Sequence, residues 1–390
     1  MRRIDPPPTA DFVDSLARLV ATESPSYDRS SVEAGQGVLD ELGRDLLGLE
    51  ASWRAQPDGP PTLSWSTGDP DDPARVLLLG HVDTVFPLGT VARRPFDVRD
   101  GLATGPGVFD MKAGLLVALH AMRSLGPDRP VTLLVTGDEE IGSWGSRDLI
   151  AAEARRSQAV IVLEGAGPGG AVKSSRKGWS VYRFELHGRA AHAGLEPHKG
   201  CNTLLGLATA IQQVAALNQP ESGRTVTPTT ATAGTTVNTV PDRAELSVDV
   251  RVESAEDQDA VDRAIRRLEG VDEHGVEIRV GGGVDRPPMP RSAAVDLLAR
   301  LDGLPRDPAR PDPGDIAVGG ISDANLTAAL GVPTIDGLGA VGGGPHSEHE
   351  WVDVEATIAR ISLVTSLADD LITHPLPAAA PPTSQTRTRP

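Results

Sequence analysis

The sequence predicts an α/β fold carrying an inserted α+β domain of ferredoxin-like pattern, and three observations point to it. Near-continuous apolar runs at residues 75–80, 131–136 and 159–163 alternate with helix-spaced segments, the pattern of a sheet covered on both faces. At about Lys177 this gives way to alternating strands and helices in the order β-α-β-β-α-β. Near Arg291 the first rhythm resumes. A chain of 390 residues suits two domains or one carrying an insertion. The expected division is a first catalytic part at 1–177, an inserted domain at 178–285, a second catalytic part at 286–374 and a disordered tail at 375–390.

Each element follows from its pattern. Residues 11–50 hold two helical segments, one with Phe12, Leu16 and Leu19 on a face, the other with Leu39, Leu42, Leu46 and Leu47. Residues 57–68 read as turn-rich. The strand 75–80 ends on His81, and Asp110 is placed at the N-cap of a helix bearing Leu115, Leu116, Leu119 and Met122 and closed by Gly126 and Pro127. Strand 131–136 runs into Asp138, Glu139 and Glu140, a helix spans 146–156, and strand 159–163 ends on Glu164. In the insertion, strands are expected at 179–186, 230–238, 244–252 and 276–280, with helices at 202–217 and 256–269. A short strand at 332–335 and a helix at 354–371 close the fold, before a tail rich in proline, threonine and serine.

Composition narrows the function. A hydrophobic content of 39% with 23% charged residues is that of a globular chain. The net charge of −17 argues against a polyanionic partner such as nucleic acid. No apolar run approaches the roughly 20 residues of a membrane helix, and the basic start, Met1-Arg2-Arg3, has no apolar stretch behind it. With Cys201 as the single cysteine, no intrachain disulfide forms, and a cytoplasmic location is expected.

The chemistry lies where apolar runs stop. Carboxylates placed beside a buried strand are costly unless something cationic compensates. His81, Asp110, Glu140, Glu164 and His346 supply two imidazoles and three carboxylates, enough for two divalent ions if one carboxylate bridges, and Asp110 is the candidate bridge. Asp83, two residues past His81, is expected to accept the second imidazole proton and orient that ligand. Glu139, beside Glu140 but not needed as a ligand, is the candidate general base. Each of these residues alone reads as a helix start, a cap or a loop histidine. Their agreement at three strand ends points to a two-metal hydrolase.

At these residues the chain resembles the M20 family of metallopeptidases, most closely its glutamate carboxypeptidase branch. The matching stretches are Gly80-His81-Val82-Asp83-Thr84-Val85, Gly105-Pro106-Gly107 through Asp110 to Lys112-Ala113-Gly114, Asp138-Glu139-Glu140-Ile141-Gly142-Ser143, Gly188 through His192 to Gly194, and Gly344-Pro345-His346-Ser347. The resemblance implies a zinc-peptidase-like catalytic domain with two zinc ions per subunit. One would be held by His81 and Glu164 and the other by Glu140 and His346, bridged by Asp110, with Glu139 as base. Cobalt or manganese suits the same ligands. It also implies a cis peptide bond between Asp110 and Met111. Glu164 stands where that branch usually has aspartate.

By the same resemblance the insertion is a lid that also forms a homodimer, and His192 stabilises an oxyanion in the partner's site; the plain alternative is that His192 caps a turn. Asn238, Arg251 and Arg286 resemble positions that hold a substrate's carboxylate and carbonyl, although Arg251 also reads as a strand-end ion pair. Gly319 and Gly320 resemble a backbone segment lining the substrate pocket. The expected activity is hydrolysis of an amide bond next to a carboxylate-bearing amino acid, in a C-terminal peptide or an N-acyl amino acid. The rivals are a deacylase or desuccinylase and, from another class, a catalytically silent binding protein.

Overall fold

The computed structural model describes residues 6–57, 59–304 and 314–377. The chain start and most of the expected tail, residues 1–5 and 378–390, lie outside them. The chain divides into two compact units: Met1–Ser174 with Arg291–Ile316 and Ser322–Pro390, and Ser175–Pro290 with Ala317–Ile321.

In the first unit, the described residues form a sheet in the order Ser52–Gln56, Gly59–Thr67, Val131–Thr136, Val76–His81, Ala159–Val162, Thr334–Ile335. Val76–His81 is buried along its whole length and pairs in parallel with a strand on each side, His81 opposite Thr136 and Leu79 opposite Val162. That register sets the three polar strand ends side by side. Behind the sheet, the helix Ala113–Leu125 is apolar nearly all round and packs against the helix Val354–Thr373, as a fully buried helix must.

The structure differs from expectation before the strand Val76–His81 and again at Asp110. The segment read as turn-rich contains the strand Gly59–Thr67, whose Leu63, Trp65 and Thr67 point into the core. Pro60 and Pro61 disguised it; they precede Leu63, where pairing with Val131–Thr136 begins, so their missing N–H groups cost that ladder nothing. Asp110 is not an N-cap. The helix starts at Ala113; Asp110 and Met111, joined by a cis peptide bond, take non-helical backbone angles, and the Asp110 carboxylate faces His81.

A small antiparallel sheet that the sequence did not announce runs Gly342–Gly343, Trp351–Asp353, Leu102–Thr104, Asp97–Arg99. Its strands are two or three residues long, too short for a period. It nevertheless brings the Asp110 loop, which follows Leu102–Thr104, beside the His346 loop, which precedes Trp351–Asp353.

The second unit is an antiparallel sheet in the order Thr225–Ala233, Arg243–Val252, Gly178–His187, Glu277–Arg286, Gly270–Val271, with helices Thr203–Ala215 and Ala255–Arg266. This is the ferredoxin-like arrangement that the β-α-β-β-α-β order predicts. Ser180, Tyr182, Phe184 and Leu186 alternate inward, as read from the sequence. The expected strand 230–238 lies earlier, at Thr225–Ala233, because its apolar anchor is Val226. Ala317–Ile321 joins this unit through Lys177 N–H to the Val318 carbonyl and Arg176 to the Gly320 and Ile321 carbonyls.

Candidate active site

Three strand ends and two loops converge in the first unit. His81 Nε2 lies 3.2 Å from Asp110 Oδ1 and 3.5 Å from Glu164 Oε1. His346 Nε2 lies 3.3 Å from Asp110 Oδ2 and 3.2 Å from Glu140 Oε2. The five residues therefore make two trios, His81-Asp110-Glu164 and Asp110-Glu140-His346, whose donor atoms lie within 4.8 Å of one another in each. Asp110 belongs to both and turns a different oxygen to each. His346 sits in the left-handed backbone region at φ 60, a conformation few non-glycine residues take.

Asp83 is fully buried and differs in detail from its expected role. The closest partner of His81 Nδ1 is the Asp83 carbonyl, at 3.0 Å, with the carboxylate at 3.5 Å. The carboxylate instead accepts the backbone N–H groups of Glu139 at 3.2 Å and Glu140 at 3.1 Å and the hydroxyl of Ser26 at 2.7 Å. It thereby ties the acidic turn to the central strand end. Asp138 closes the other side of that turn, accepting from Gly145 N–H and the Ser146 hydroxyl.

The electrostatics show a site crowded with negative charge. Burial pushes Glu139 well above the usual carboxylate range, and Asp323, Glu164 and Glu140 add to it against the opposing pull of His81. Burial likewise lifts Glu140 to about 7. Hydrogen bonds to Asp110 and Glu140 raise His346 to about 10. Burial would lower His81, but Asp110, Asp83 and Glu164 together hold it well above its ordinary value. Two imidazoles thus stand against Asp110, Glu139, Glu140 and Glu164. Nitrogen and carboxylate donors in two trios joined by a shared carboxylate are the donor set that a pair of divalent cations takes. The residues fit the group.

Glu350, which sequence reasoning missed, is fully buried in the same region and accepts from the backbone of the Asp110 loop. Its only signal in the sequence is that it stands four residues past His346.

The other predicted residues lie in the second unit. His192 is exposed in a two-residue strand paired with Thr239–Val240, and its Nδ1 accepts from Gly194 N–H at 3.1 Å and Leu195 N–H at 3.2 Å. A neutral ring accepting at Nδ1 carries its proton on Nε2, so His192 presents an N–H donor. Asn238 is exposed, and its carbonyl accepts from Ala193 N–H. The Arg251 guanidinium donates to Asp249 at 3.1 Å and lies 5.0 Å from the centre of the Trp179 ring. Arg286 is fully buried, and its carbonyl accepts from Gln258. Gly319 and Gly320 lie in the segment held by Arg176 and Lys177.

An α/β sheet whose strand ends gather imidazoles and carboxylates around a shared aspartate defines a metal-dependent hydrolase. The chain belongs to the peptidase family M20/M25/M40, whose model matches residues 77–370, and it is a hydrolase of amide bonds. It is 31% identical over 307 residues to carboxypeptidase G2 of Pseudomonas sp. strain RS-16, covering 76% of this chain and 74% of that one. It is also 30% identical over 387 residues to the succinyl-diaminopimelate desuccinylase of Paracoccus denitrificans, covering 91% and 97%. The solved aminopeptidase PepT of Bacillus cereus shares the fold, with a TM-score of 0.76 at 22% identity over 93% of this chain and 99% of that one. Among the described residues, no helix is long and apolar enough to cross a membrane.

Proposed function

We propose that this chain is a dizinc hydrolase that cleaves an amide bond next to a carboxylate-bearing amino acid, in the manner of a glutamate carboxypeptidase. The observation that carries the reading is Asp110, one oxygen toward His81 and the other toward His346. In this reading His81 and Glu164 hold one ion, Glu140 and His346 the other, and Asp110 both. Bound there, such ions lower the pKa of a water, polarise the scissile carbonyl and offset the crowded carboxylate charge.

The chain's own groups do the rest. Glu139 takes a proton from the attacking water and passes it to the leaving nitrogen. Asp83, holding the N–H groups of Glu139 and Glu140, keeps base and ligand in fixed relation. His192, contributed by a second copy of the chain through a dimer of inserted domains, donates its Nε2 proton to the developing oxyanion, an interaction worth roughly 3–4 kcal/mol when preorganised. Arg286, Asn238 and Arg251 receive the substrate's carboxylate and carbonyl, and the Gly319-Gly320 backbone lines the pocket. The Arg251 role requires its guanidinium to face substrate while still held by Asp249.

A second reading, an N-acyl amino-acid deacylase or desuccinylase, is favoured by Glu164 and by the likeness to desuccinylases over nearly the whole chain. Both readings place the cleaved bond at a carboxylate-bearing residue. The experiment that separates them measures kcat/KM on folyl-type glutamates, C-terminal dipeptides and N-succinyl amino acids. A preference of at least tenfold for C-terminal glutamate supports the carboxypeptidase reading, and the reverse supports the deacylase.

A further inference from the structure

We propose that Glu350 is a positioning residue for the metal site: its buried carboxylate locks the Asp110 loop to the His346 loop and so sets how tightly the chain holds divalent ions. The inference rests on the proposed roles of Asp110 and His346 as ligands. Glu350 is 0% exposed and belongs to neither metal-capable trio. Its Oε1 accepts the N–H groups of Phe109 and Asp110, both at 2.9 Å, and its Oε2 accepts that of Gly107 at 2.8 Å. Arg94 approaches Oε2 at 3.4 Å and also donates to the Ser347 carbonyl, next to His346. The buried Glu350 carboxylate and the half-buried Arg94 together therefore fasten both ligand-bearing loops.

The loop needs an acceptor brought in from outside. Gly107 has φ +72, and a Cβ there would lie 2.6 Å from Thr84 Cγ2, so no side chain at this position can cap these N–H groups. A carboxylate is an acceptor-only group with enough lone pairs for three N–H groups and a guanidinium, and those partners offset the cost of burying it. Trp351, which follows Glu350, pairs with Thr104 in the small sheet, and this fixes where the carboxylate falls. Without it, the loop that aims the two oxygens of Asp110 at two different imidazoles loses its anchor. Groups that orient ligands from behind typically govern metal affinity by about 10–100-fold.

The test strips metal from the full chain with a chelator. Zinc is then titrated in competition with a chromophoric chelator for the wild type, Glu350→Gln and Arg94→Met, with circular dichroism and thermal unfolding to verify the fold. Glutamine turns one acceptor oxygen into a donor that faces backbone N–H groups. We expect folded Glu350→Gln to bind zinc about 10–100-fold more weakly and to recover turnover when zinc is raised to saturation. Arg94→Met should shift affinity in the same direction by less. A folded Glu350→Gln with wild-type affinity overturns the inference. Should Glu350→Gln not fold, Arg94→Met decides, unchanged affinity overturning the inference and weakened affinity supporting it. A wild type that takes up no zinc overturns the ligand reading itself, and the inference falls with it; two ions in the wild type beside an equally tight Glu350→Gln overturn the role of Glu350 alone.

Discussion

The carboxylate of Asp83, two residues past the end of the central strand, accepts the backbone N–H of Glu139 at 3.2 Å and ties Glu139 to that strand end. The bond acts on the Glu139 backbone, leaving its side chain free for proton transfer. Glu139→Gln keeps that backbone bond and removes only the proposed base. Turnover should fall about 10²–10⁴-fold with metal content unchanged. Steady-state hydrolysis alongside elemental analysis checks this; near-normal turnover would remove Glu139 from the role.

Chelation should abolish hydrolysis and lower the unfolding temperature together, because the carboxylates of both trios are left uncompensated. Zinc restored to about 100 times its dissociation constant should return roughly 2.7 kcal/mol of stability for each ion bound. Chemical unfolding with and without zinc measures the difference. Equal stability in both conditions would mean that the trios hold no ion.

Gly114 is where the helix Ala113–Leu125 meets the strand that leads to Glu164. A Cβ at this position would lie 2.1 Å from the Leu163 carbonyl oxygen, so Gly114→Ala must push helix and strand apart. We expect a loss of about 1–3 kcal/mol or more, with weaker zinc binding through displaced Glu164. Urea unfolding and zinc titration of the variant report the two effects separately.

His120 gives a pH dependence distinct from catalysis. Burial lowers its pKa from 6.5 to about 4, with the Arg123 charge adding to the shift. Its folded value thus lies below its unfolded one, so the neutral ring stabilises the fold above about pH 6.5, and that stability is lost as pH falls toward 4. The whole contribution is on the order of 3 kcal/mol. His120→Leu should flatten this part of the stability profile between pH 7 and pH 4.5, measured as the difference from wild type in urea unfolding. An unchanged difference across that range would contradict it.

Much of the site was legible because polar residues that end apolar runs are conspicuous. His81, Glu140 and Glu164 follow three adjacent strands, and a parallel register puts such ends together whatever the loops do. His346 and Asp110 were readable as residue types, but what brings them together was not. The two- and three-residue strands of the small sheet leave no period to read, and Glu350 is an ordinary glutamate until its three N–H partners are seen. The strand Gly59–Thr67 was hidden by prolines that lie outside its pairing with Val131–Thr136. Asp110 looked like a helix cap because a helix does follow; its carboxylate instead meets His81 and His346.

The shared aspartate is tested most directly by counting zinc ions per chain in the wild type, His346→Ala and Asp110→Ala after dialysis against dilute zinc. Two ions in the wild type, one in His346→Ala and none retained in Asp110→Ala is the predicted result. Two ions still bound by folded Asp110→Ala, or none bound by the wild type, would contradict it.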